Sequence, residues 1–489
     1  MIPNWLMKRA SLSPEAPALS FEGETLSYAE LYDRAMDHAG KLRAAGLHAG
    51  SRAALLGGTS AEMAVLIHGC LLAGVEMVLL NVRLTAEEIG YQLGDAAADL
   101  LICEDFCIPQ TGSANCGALS YSDFSRLPAH PVEPEREWQD DRTLTIMYTS
   151  GTTGFPKGVR QTAGNHTASA VSAVLNSGLR DGDAWLHMMP LFHISGFSIL
   201  ARAVLYGTEV RLFRKFDAYL AAEEIGSGRV SGMSAVAVTL ERLLTEFERS
   251  GRTVPETFRT LLAGGGPVPV NYLERAQRIG LPVLQTYGMT ETSSQTATLS
   301  AGDALRKIGS AGKPLFFSDI RIEGAAGPGS RGEILIRGPH VTKGYVGRHS
   351  GKGALQDGWL HSGDIGYFDE DGFLFVSDRR SDLIISGGEN IYPAEIEEVL
   401  AAHPAVKEAG VCAMRDEKWG AVPAAFIKTT GPQQLAPEDL ETFCRERLAA
   451  YKVPKVFRFI EEMPRNSSNK LMRSRLRELA ADENVDRQH

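Results

Sequence analysis

The order of apolar runs in the first part of the chain constrains its fold most. Residues 53–56 and 78–80 are short apolar runs typical of buried strands, and an apolar helical pattern at residues 62–73 lies between them. Upstream, Ser27 and Glu30 have the spacing of a capping box that begins another helix. This strand–helix–strand order predicts a mostly parallel sheet covered by helices, which is an α/β fold.

The same alternation continues along the chain and then changes. Further strands are predicted at residues 210–213, 232–238 and 260–262, whereas residues 308–367 have the short strands and Gly/Pro turns of a small β-rich unit. A charged run at residues 378–382 then precedes a separate module with its own apolar pattern. We therefore expect two domains, residues 1–379 and 380–489, in line with a length of 489 residues.

The composition narrows the classes of partner. The formal net charge of −10 argues against nucleic acid or an anionic membrane as the main partner. No apolar run approaches the roughly 18 residues of a membrane-spanning helix, and the first residues lack the order of a signal peptide. The six cysteines have no metal-ligand spacing, so we expect buried or idle thiols and a cytoplasmic location.

A loop rich in hydroxyls and glycine follows a predicted strand at residues 143–148. It contains Thr149, Ser150, Gly151, Thr152, Thr153 and Gly154, and Lys157 comes three residues later. Glycines let backbone N–H groups approach an anion, hydroxyls add donors and the lysine adds charge, so the expected ligand is a polyphosphate. Gly158 follows Lys157 where a P-loop has Ser or Thr. Taken alone, the loop is also compatible with a solvated connector.

Three further segments with candidate functional groups follow this loop. His193 lies in the segment 190–196, although a single histidine is more often structural. The glycine run at residues 263–267, which includes Gly265 and Gly266, follows a predicted strand and suits close backbone contact with a flat ligand.

The third of these segments, residues 285–291, places three functional side chains on one tight turn. Tyr287 is suited to stack on a purine, Thr290 to meet a phosphate and Glu291 to hold Mg²⁺. Glu291 by itself would be a surface carboxylate.

Two more segments lie downstream. Asp364, at the end of residues 359–364, precedes Arg379 by fifteen residues, and an arginine-supported carboxylate suits the two hydroxyls of a ribose. Lys470 ends the polar loop 464–470. Considered singly, Asp364 would be a turn residue and Lys470 a solvated surface charge.

Together and in this order, the six segments resemble the adenylate-forming superfamily of acyl-CoA synthetases, luciferases and peptide-synthetase adenylation domains. The resemblance covers nearly the whole chain. It implies a large N-terminal domain of layered αβ subdomains plus a β-barrel-like subdomain, followed by a small mobile α+β C-terminal domain. It also implies ATP, Mg²⁺ and coenzyme A as cofactor and co-substrates, and a small-molecule carboxylic acid as substrate. A homodimer is compatible with the resemblance.

The resemblance assigns roles to the residues singled out above. The Thr149–Gly154 loop and Lys157 are expected to cradle the ATP phosphates, with the glycine loop and Tyr287 at the adenine, and Asp364 with Arg379 at the ribose. Thr290 is expected at the α-phosphate, Glu291 at Mg²⁺, and Lys470 matches the catalytic lysine of the superfamily. Magnesium and the Lys470 ammonium would offset the repulsion between the substrate carboxylate and the α-phosphate.

Thioester formation in the superfamily follows a swing of the C-terminal domain. The resemblance implies that His193 gates the pantetheine channel and that Gly387 and Gly388 line it after the swing. The hinge is expected at residues 380–381, where Ser381 stands in place of the aspartate or lysine of many relatives.

The segment 387–393 indicates an acyl-CoA synthetase rather than a peptide-synthetase domain. Within that group, the chain most resembles the o-succinylbenzoate–CoA ligases of menaquinone biosynthesis, on residues 3–9, 164–166, 191–196, 264–267 and 378–388. Such a substrate has a second carboxylate, for which we expect donors at Ser195, Arg202 and Ser293. For Arg202, a surface or interdomain salt bridge is an equally good interpretation.

Other functions stay open at this point. Another aromatic or medium-chain acid is the main alternative substrate. A P-loop ATPase is disfavoured by the residues around Lys157, and a catalytically silent nucleotide-binding protein by the presence of Glu291 and Lys470. A light-emitting oxygenase step after adenylation is chemically possible.

Overall fold

The structure is a computed structural model, and it describes most of the chain. The described residues are 1–149, 156–266, 268–351, 354–379, 382–386, 389–416, 419–431, 435–448, 450–466 and 470–482. Within them the fold is mixed α/β, as predicted, with several sheets that follow one another along the chain.

The first large sheet has six strands, and its interior is parallel. In spatial order the strands are Lys157–Thr162, Thr143–Thr149, Glu76–Leu80, Arg52–Leu56, Leu100–Cys103 and Gly117–Ser120. Only Lys157–Thr162 runs antiparallel to its neighbour, Thr143–Thr149. The strands at residues 53–56 and 78–80 and the intervening helix are therefore confirmed, each within two residues of the predicted bounds.

The second large sheet has nine strands and is parallel except near its two edges. In spatial order they are Lys313–Pro314, Ser294–Thr298, Val283–Met289, Thr260–Ala263, Gly232–Ala235, Ala184–His187, Glu209–Leu212, Pro17–Phe21 and Glu24–Ser27. Buried apolar side chains from the strands of both large sheets and from the helices that cover them form three apolar clusters. A separate pair, Ile2–Pro3 with Glu137–Trp138, fastens the N-terminus.

The predicted strand at residues 232–238 is too long. The strand ends at Ala235, and the helix Ala237–Ser250 begins two residues later. The reason is the helical spacing of Leu240, Leu243, Leu244 and Phe247, all of which are buried on one face. This periodicity prevails over the apolar character of the residues that precede it.

The two remaining sheets lie downstream. The β-rich unit is a five-stranded antiparallel sheet made of Asp319–Ile322, Gly332–Arg337, Leu355–Gln356, Trp359–Phe368 and Leu374–Arg379. The last sheet is made of Ile384–Ser386, Glu389–Ile391, Val406–Asp416, Gly420–Thr429 and Val456–Phe459. It has its own apolar core, which suits a C-terminal domain, although the boundary at residues 379–380 stays a prediction.

The helices pack over these sheets. They are Trp5–Leu12, Tyr28–Ala44, Ala61–Ala73, Ala86–Asp95, Tyr121–Arg126, Ala163–Ser177, Ile194–Tyr206, Ala218–Gly226, Ala237–Ser250, Val270–Arg278, Pro393–Ala401, Pro437–Arg445 and Arg473–Asp482. Three short 3₁₀ helices are Asp105–Ser113, Thr290–Thr292 and Gly347–His349. The predicted capping box of Ser27 and Glu30 is present, since each residue bonds the backbone N–H of the other.

Two further expectations concern burial. Five of the six cysteines are buried and Cys116 is half-buried, and all six are free thiols. Within the described ranges, no helix is both long and apolar enough to cross a bilayer.

Four buried histidines make stability depend on pH. Burial lowers the pKa of His68, His187 and His340 to about 4 and that of His166 to about 3, from an ordinary value of 6.5. Below about pH 6.5 the unfolded chain therefore binds protons that the folded chain does not. The free energy of unfolding consequently decreases as the pH falls.

We predict that each of these histidines removes about 1.4 kcal/mol of unfolding free energy per pH unit below pH 6.5, until its folded-state pKa is reached. Substituting His68→Leu should flatten the pH dependence by about one proton, because His68 then no longer titrates on unfolding. Denaturant unfolding at several pH values between about 4.5 and 7 measures this slope. An unchanged slope in the variant would contradict the neutral state of His68.

Candidate active site

Tyr287 and Asp364 meet where the nine-stranded sheet faces the five-stranded sheet. Tyr287 lies on Val283–Met289, and its hydroxyl donates to Asp364 Oδ2 over 2.8 Å. Asp364 is only 6% exposed, and its backbone N–H donates to Ser362 Oγ. Across the strand pair, Asp364 is in register with Arg379. The structure thus brings together the three residues predicted to hold a nucleoside, although the Arg379 side chain lies outside the described part.

The strand that carries Asp364 is also held by contacts with Glu333 on a neighbouring strand. The backbone N–H of Gly363 donates to Glu333 Oε1 over 2.9 Å, and Glu333 is buried on the neighbouring strand Gly332–Arg337. His361 Nδ1 lies 3.4 Å from the other oxygen of Glu333. These contacts limit the movement of the Asp364 carboxylate relative to Tyr287.

The turn Thr290–Thr292 begins where the strand that carries Tyr287 ends, at Met289, and it contains Thr290 and Glu291. The turn ends at Ser293, which has a left-handed φ of 51°, a conformation that non-glycine residues rarely adopt. Ser293 is 1% exposed, and its hydroxyl has no hydrogen-bond partner among the described residues. Strain and an unsatisfied buried hydroxyl at one position are typical of a ligand site.

A cation and a carboxylate meet at Tyr345. The Lys157 ammonium lies 5.4 Å from the centre of the Tyr345 ring. Burial, together with the negative charge of the nearby Glu291 carboxylate, raises the pKa of Tyr345. Carboxylate and phosphate oxygens are the hard donors that Mg²⁺ prefers, so the donor set at Glu291 fits that ion.

The glycine loop lies under the side chain of Lys470. Gly265 has φ +79°, which favours glycine, and a Cβ placed on it would lie 3.9 Å from Lys470 Cε. Lys470 is exposed, and its segment is fixed by paired contacts with Asn466: backbone to backbone, and the Lys470 N–H to Asn466 Oδ1. A residue from the last part of the chain thus reaches the loop that follows Thr260–Ala263.

His193, Ser195 and Arg202 all belong to one helix and its first cap. His193 precedes the helix Ile194–Tyr206 as its N-cap and packs against Phe192 with ring centres 4.7 Å apart. Ser195 is half-buried in the first turn. Arg202 is 8% exposed two turns later, so this helix runs from His193, the predicted gate of the pantetheine channel, to the interior.

Arg202 lines a small cavity whose border includes Leu262, at the end of a strand before the glycine run, and Gln295, three residues after the turn Thr290–Thr292. The cavity is bordered by Trp185, Arg202, Tyr206, Leu262 and Gln295, among others. The Arg202 guanidinium stacks 5.1 Å from the Trp185 ring, and its Nε donates to the Ser198 carbonyl. No carboxylate pairs with it in the described part of the chain, and burial lowers its pKa.

The remaining predicted site residues are described only in part. Thr149 ends the strand Thr143–Thr149 and is half-buried. The predicted phosphate-loop residues Ser150, Gly151, Thr152, Thr153 and Gly154, the channel residues Gly387 and Gly388, and the hinge residues Arg380 and Ser381 lie outside the described residues. Gly266 is described and exposed beside Gly265.

The sequence analysis missed Tyr345 and Trp185, which contact Lys157 and Arg202. Neither lies in a motif that carries chemistry, and each approaches the site from a different sheet or loop. An isolated aromatic residue gives no signal of such a contact until the chain is folded.

Comparison with known proteins agrees with this arrangement. The AMP-binding enzyme family matches residues 6–346, and the AMP-binding enzyme C-terminal domain matches residues 395–470. The chain belongs to the AMP-binding enzyme family. The resemblance to adenylate-forming enzymes is thereby confirmed, and the two matched regions lie on either side of the predicted domain boundary.

Relatives and solved structures of this family align along nearly the whole chain. The 2-succinylbenzoate–CoA ligase of Bacillus velezensis is 49% identical over 490 residues, which cover 98% of this chain and 99% of that protein. The o-succinylbenzoate CoA synthetase of Bacillus subtilis with the acyl-adenylate intermediate OSB-AMP has a TM-score of 0.92 and 45% identity, covering 97% of this chain and 98% of that chain. The same enzyme with ATP and magnesium ion has a TM-score of 0.91 at 45% identity, covering 97% and 99%.

We predict that Tyr287→Phe raises the KM for ATP in this family member about tenfold and changes kcat less. The ring remains available for stacking, but the hydroxyl no longer fixes Asp364, and one hydrogen bond to a charged group is lost. Steady-state kinetics with varied ATP provides the measurement. The matched control is Tyr219→Phe, at an exposed tyrosine on the helix Ala218–Gly226. Equal effects of the two substitutions would contradict the positioning of Asp364 by Tyr287.

Proposed function

We propose that this enzyme is an o-succinylbenzoate–CoA ligase that forms o-succinylbenzoyl-CoA, AMP and pyrophosphate from the acid, ATP and CoA. The observation that carries the proposal is the joint presence of the buried cation Arg202 and of Lys470 over the glycine loop, in a chain 49% identical to a 2-succinylbenzoate–CoA ligase. The product serves menaquinone biosynthesis.

In the first step, a carboxylate oxygen of the acid attacks the α-phosphorus of ATP, and the bond from that phosphorus to the bridging oxygen of pyrophosphate breaks. Thr290 donates to an α-phosphate oxygen, and the Lys470 ammonium lies between the two anions and reduces their repulsion. Lys157, beside Tyr345, and the Thr149–Gly154 loop hold the phosphates in the orientation for in-line attack.

The nucleoside end is held by the contacts that join the sheets. Tyr287 stacks on adenine over the Gly265–Gly266 loop, and Asp364 accepts from the ribose hydroxyls with support from Arg379. Glu291 holds Mg²⁺, which, when bound, neutralises part of the phosphate charge. Tyr345 lies near Glu291 and would help to orient its carboxylate for the ion.

In the second step the CoA sulfur attacks the acyl carbon, and the carbon–oxygen bond to AMP breaks. Lys470 has to leave the site first, so the C-terminal domain rotates at residues 380–381. His193 then gates the pantetheine channel, and Gly387 and Gly388 line it where only backbone is thin enough. The helix that follows His193 carries Arg202, which connects the channel to the acid pocket.

Arg202 selects the acid by its second carboxylate. A buried guanidinium without a carboxylate partner in the described structure is costly, and an anionic ligand in its cavity would remove that cost. Ser293, whose buried hydroxyl has no described partner, and Ser195 are proposed as further donors to the acid. A fatty-acid substrate would leave the Arg202 charge unpaired.

The proposed function also bears on the partners and the location of the enzyme. Its substrates are small molecules, and the six free thiols suit a reducing cytoplasm. A homodimer is proposed on the resemblance to the family alone.

The direct test offers purified protein ATP, Mg²⁺ and CoA with o-succinylbenzoate, benzoate, 4-coumarate, octanoate and palmitate in competition. Mass spectrometry should find mainly o-succinylbenzoyl-CoA together with AMP. Preference for another acid would keep the adenylating mechanism and remove the menaquinone assignment. ADP without any thioester would overturn the reaction itself.

We predict that Lys470→Ala lowers the rate of adenylation by about 100-fold or more, because a cation at the transition state is removed. Transfer to CoA from a supplied acyl-adenylate should be spared, since Lys470 has left the site in that step. Acid-dependent ATP–pyrophosphate exchange and single-turnover thioester formation measure the two halves separately. Equal loss in both halves would remove Lys470 from its proposed role.

We predict that Arg202→Ala lowers kcat/KM for o-succinylbenzoate about 100-fold, the effect of losing a buried charge pair. The matched substrate is 4-oxo-4-phenylbutanoate, which has the reacting chain but lacks the ring carboxylate, and its kcat/KM should change only a few-fold. A parallel loss for both acids would make Arg202 a structural residue.

A further inference from the structure

A series of hydrogen bonds between buried polar side chains leads from the interior to the turn Thr290–Thr292. His166 Nε2 lies 2.9 Å from Thr145 Oγ1, and Thr145 Oγ1 donates to Gln161 Oε1 over 2.8 Å. Gln161 Nε2 then donates to the carbonyl oxygen of Thr290 over 2.7 Å. No motif in the sequence singles out Thr145 or Gln161.

The strand register explains why these groups meet. Thr145 and Gln161 are direct partners in the antiparallel pair formed by Thr143–Thr149 and Lys157–Thr162, so their side chains project from the same face. His166 lies in the first turns of the helix Ala163–Ser177, which follows the second strand immediately. Both strands flank the predicted phosphate loop in the sequence, and the three hydrogen bonds join these strands to the turn Thr290–Thr292.

The donor and the acceptor of each of these three hydrogen bonds can be assigned. The Thr290 carbonyl only accepts, so Gln161 must present its Nε2–H₂ group to it and its Oε1 to Thr145. The single hydroxyl proton of Thr145 is therefore used toward Gln161. His166 consequently has to donate from Nε2, which sets its tautomer.

The three side chains that form these hydrogen bonds are buried, which restricts their movement. Thr145 and Gln161 are 0% exposed and His166 is 2% exposed, with its ring packed 4.8 Å from that of Phe197. Water cannot substitute for a missing partner there, so removal of one group leaves the next unsatisfied. The turn is held on its other side by the Thr342 N–H, which donates to the Glu291 carbonyl.

We propose that Gln161 is a positioning residue for adenylation, and that Thr145 and His166 lock its amide so that Thr290 and Glu291 are held at the α-phosphate and at the metal. The inference rests on the proposed function of these two residues. Gln161 acts only through the Thr290 backbone and does not touch the substrate. Ser293 and Ser294, at the end of the turn, both have positive φ. Such backbone strain persists only where surrounding contacts hold it, and the Gln161 hydrogen bond is one of these contacts.

The test compares Thr145→Val with Thr145→Ser. Valine keeps the shape and removes the hydroxyl, so the Gln161 amide is released, whereas serine retains the hydroxyl and should restore function. For Thr145→Val we expect acid-dependent ATP–pyrophosphate exchange to fall about 10- to 100-fold, the scale of a misplaced catalytic group. Thioester formation from a supplied acyl-adenylate should fall less, because it does not require Glu291.

A second readout is independent of turnover. Calorimetry with a non-hydrolysable ATP analogue and Mg²⁺ should give a Kd several-fold weaker for Thr145→Val and near the wild-type value for Thr145→Ser. If Thr145→Val does not fold, Gln161→Met, of similar length, should show the same excess loss in adenylation.

The outcomes separate this proposal from the proposed function. Wild-type protein without any acid-dependent exchange would overturn the function itself. Wild-type exchange combined with equal losses for the valine and serine variants, or with equal losses in both half-reactions, would overturn only the positioning role of Gln161.

Discussion

The hydrogen bond between the Tyr287 hydroxyl and the Asp364 carboxylate is the contact on which the rest of the site depends. It joins the nine-stranded parallel sheet to the five-stranded antiparallel sheet, and a bond to a buried carboxylate contributes on the order of 1.5–3 kcal/mol. The turn Thr290–Thr292 begins where the strand that carries Tyr287 ends, three residues after Tyr287, so the same junction helps to position Thr290 and Glu291. In the proposed reaction, the residues at the nucleoside and those at the reacting phosphate are therefore positioned by one contact between two sheets.

Charge compensation then explains the distribution of cations. The chain has a net charge of −10, yet the site collects Lys157, Lys470 and Arg202 at three separate places. Each faces a different anion of the proposed reaction: the phosphates, the α-phosphate with the attacking carboxylate, and the second carboxylate of the acid. Arg202 differs from the two lysines because it is buried, so its cost is reduced only when the correct anion is bound. In the proposed reaction, specificity therefore depends on a buried arginine, and adenylation depends on Lys470, which is exposed.

Much of this was predictable from the sequence, because the fold follows from local patterns. The capping box at Ser27, the strands near residues 53 and 78 and the β-rich unit after residue 308 depend on neighbours in the chain, and they are present in the structure. The strand at residues 232–238 was wrong, since a helical period begins inside it. The contacts of Tyr345, Trp185 and Gln161 could not be foreseen, because each joins segments more than 15 residues apart through side chains without a motif.

The most direct test of the central claim uses o-succinylbenzoate labelled with ¹⁸O in its reacting carboxylate. Attack of this oxygen on the α-phosphorus, followed by cleavage of the acyl carbon–oxygen bond by CoA, should transfer one ¹⁸O atom to each AMP, which mass spectrometry or ³¹P NMR detects. AMP without label, or label found in inorganic phosphate with ADP as the nucleotide product, would contradict the account.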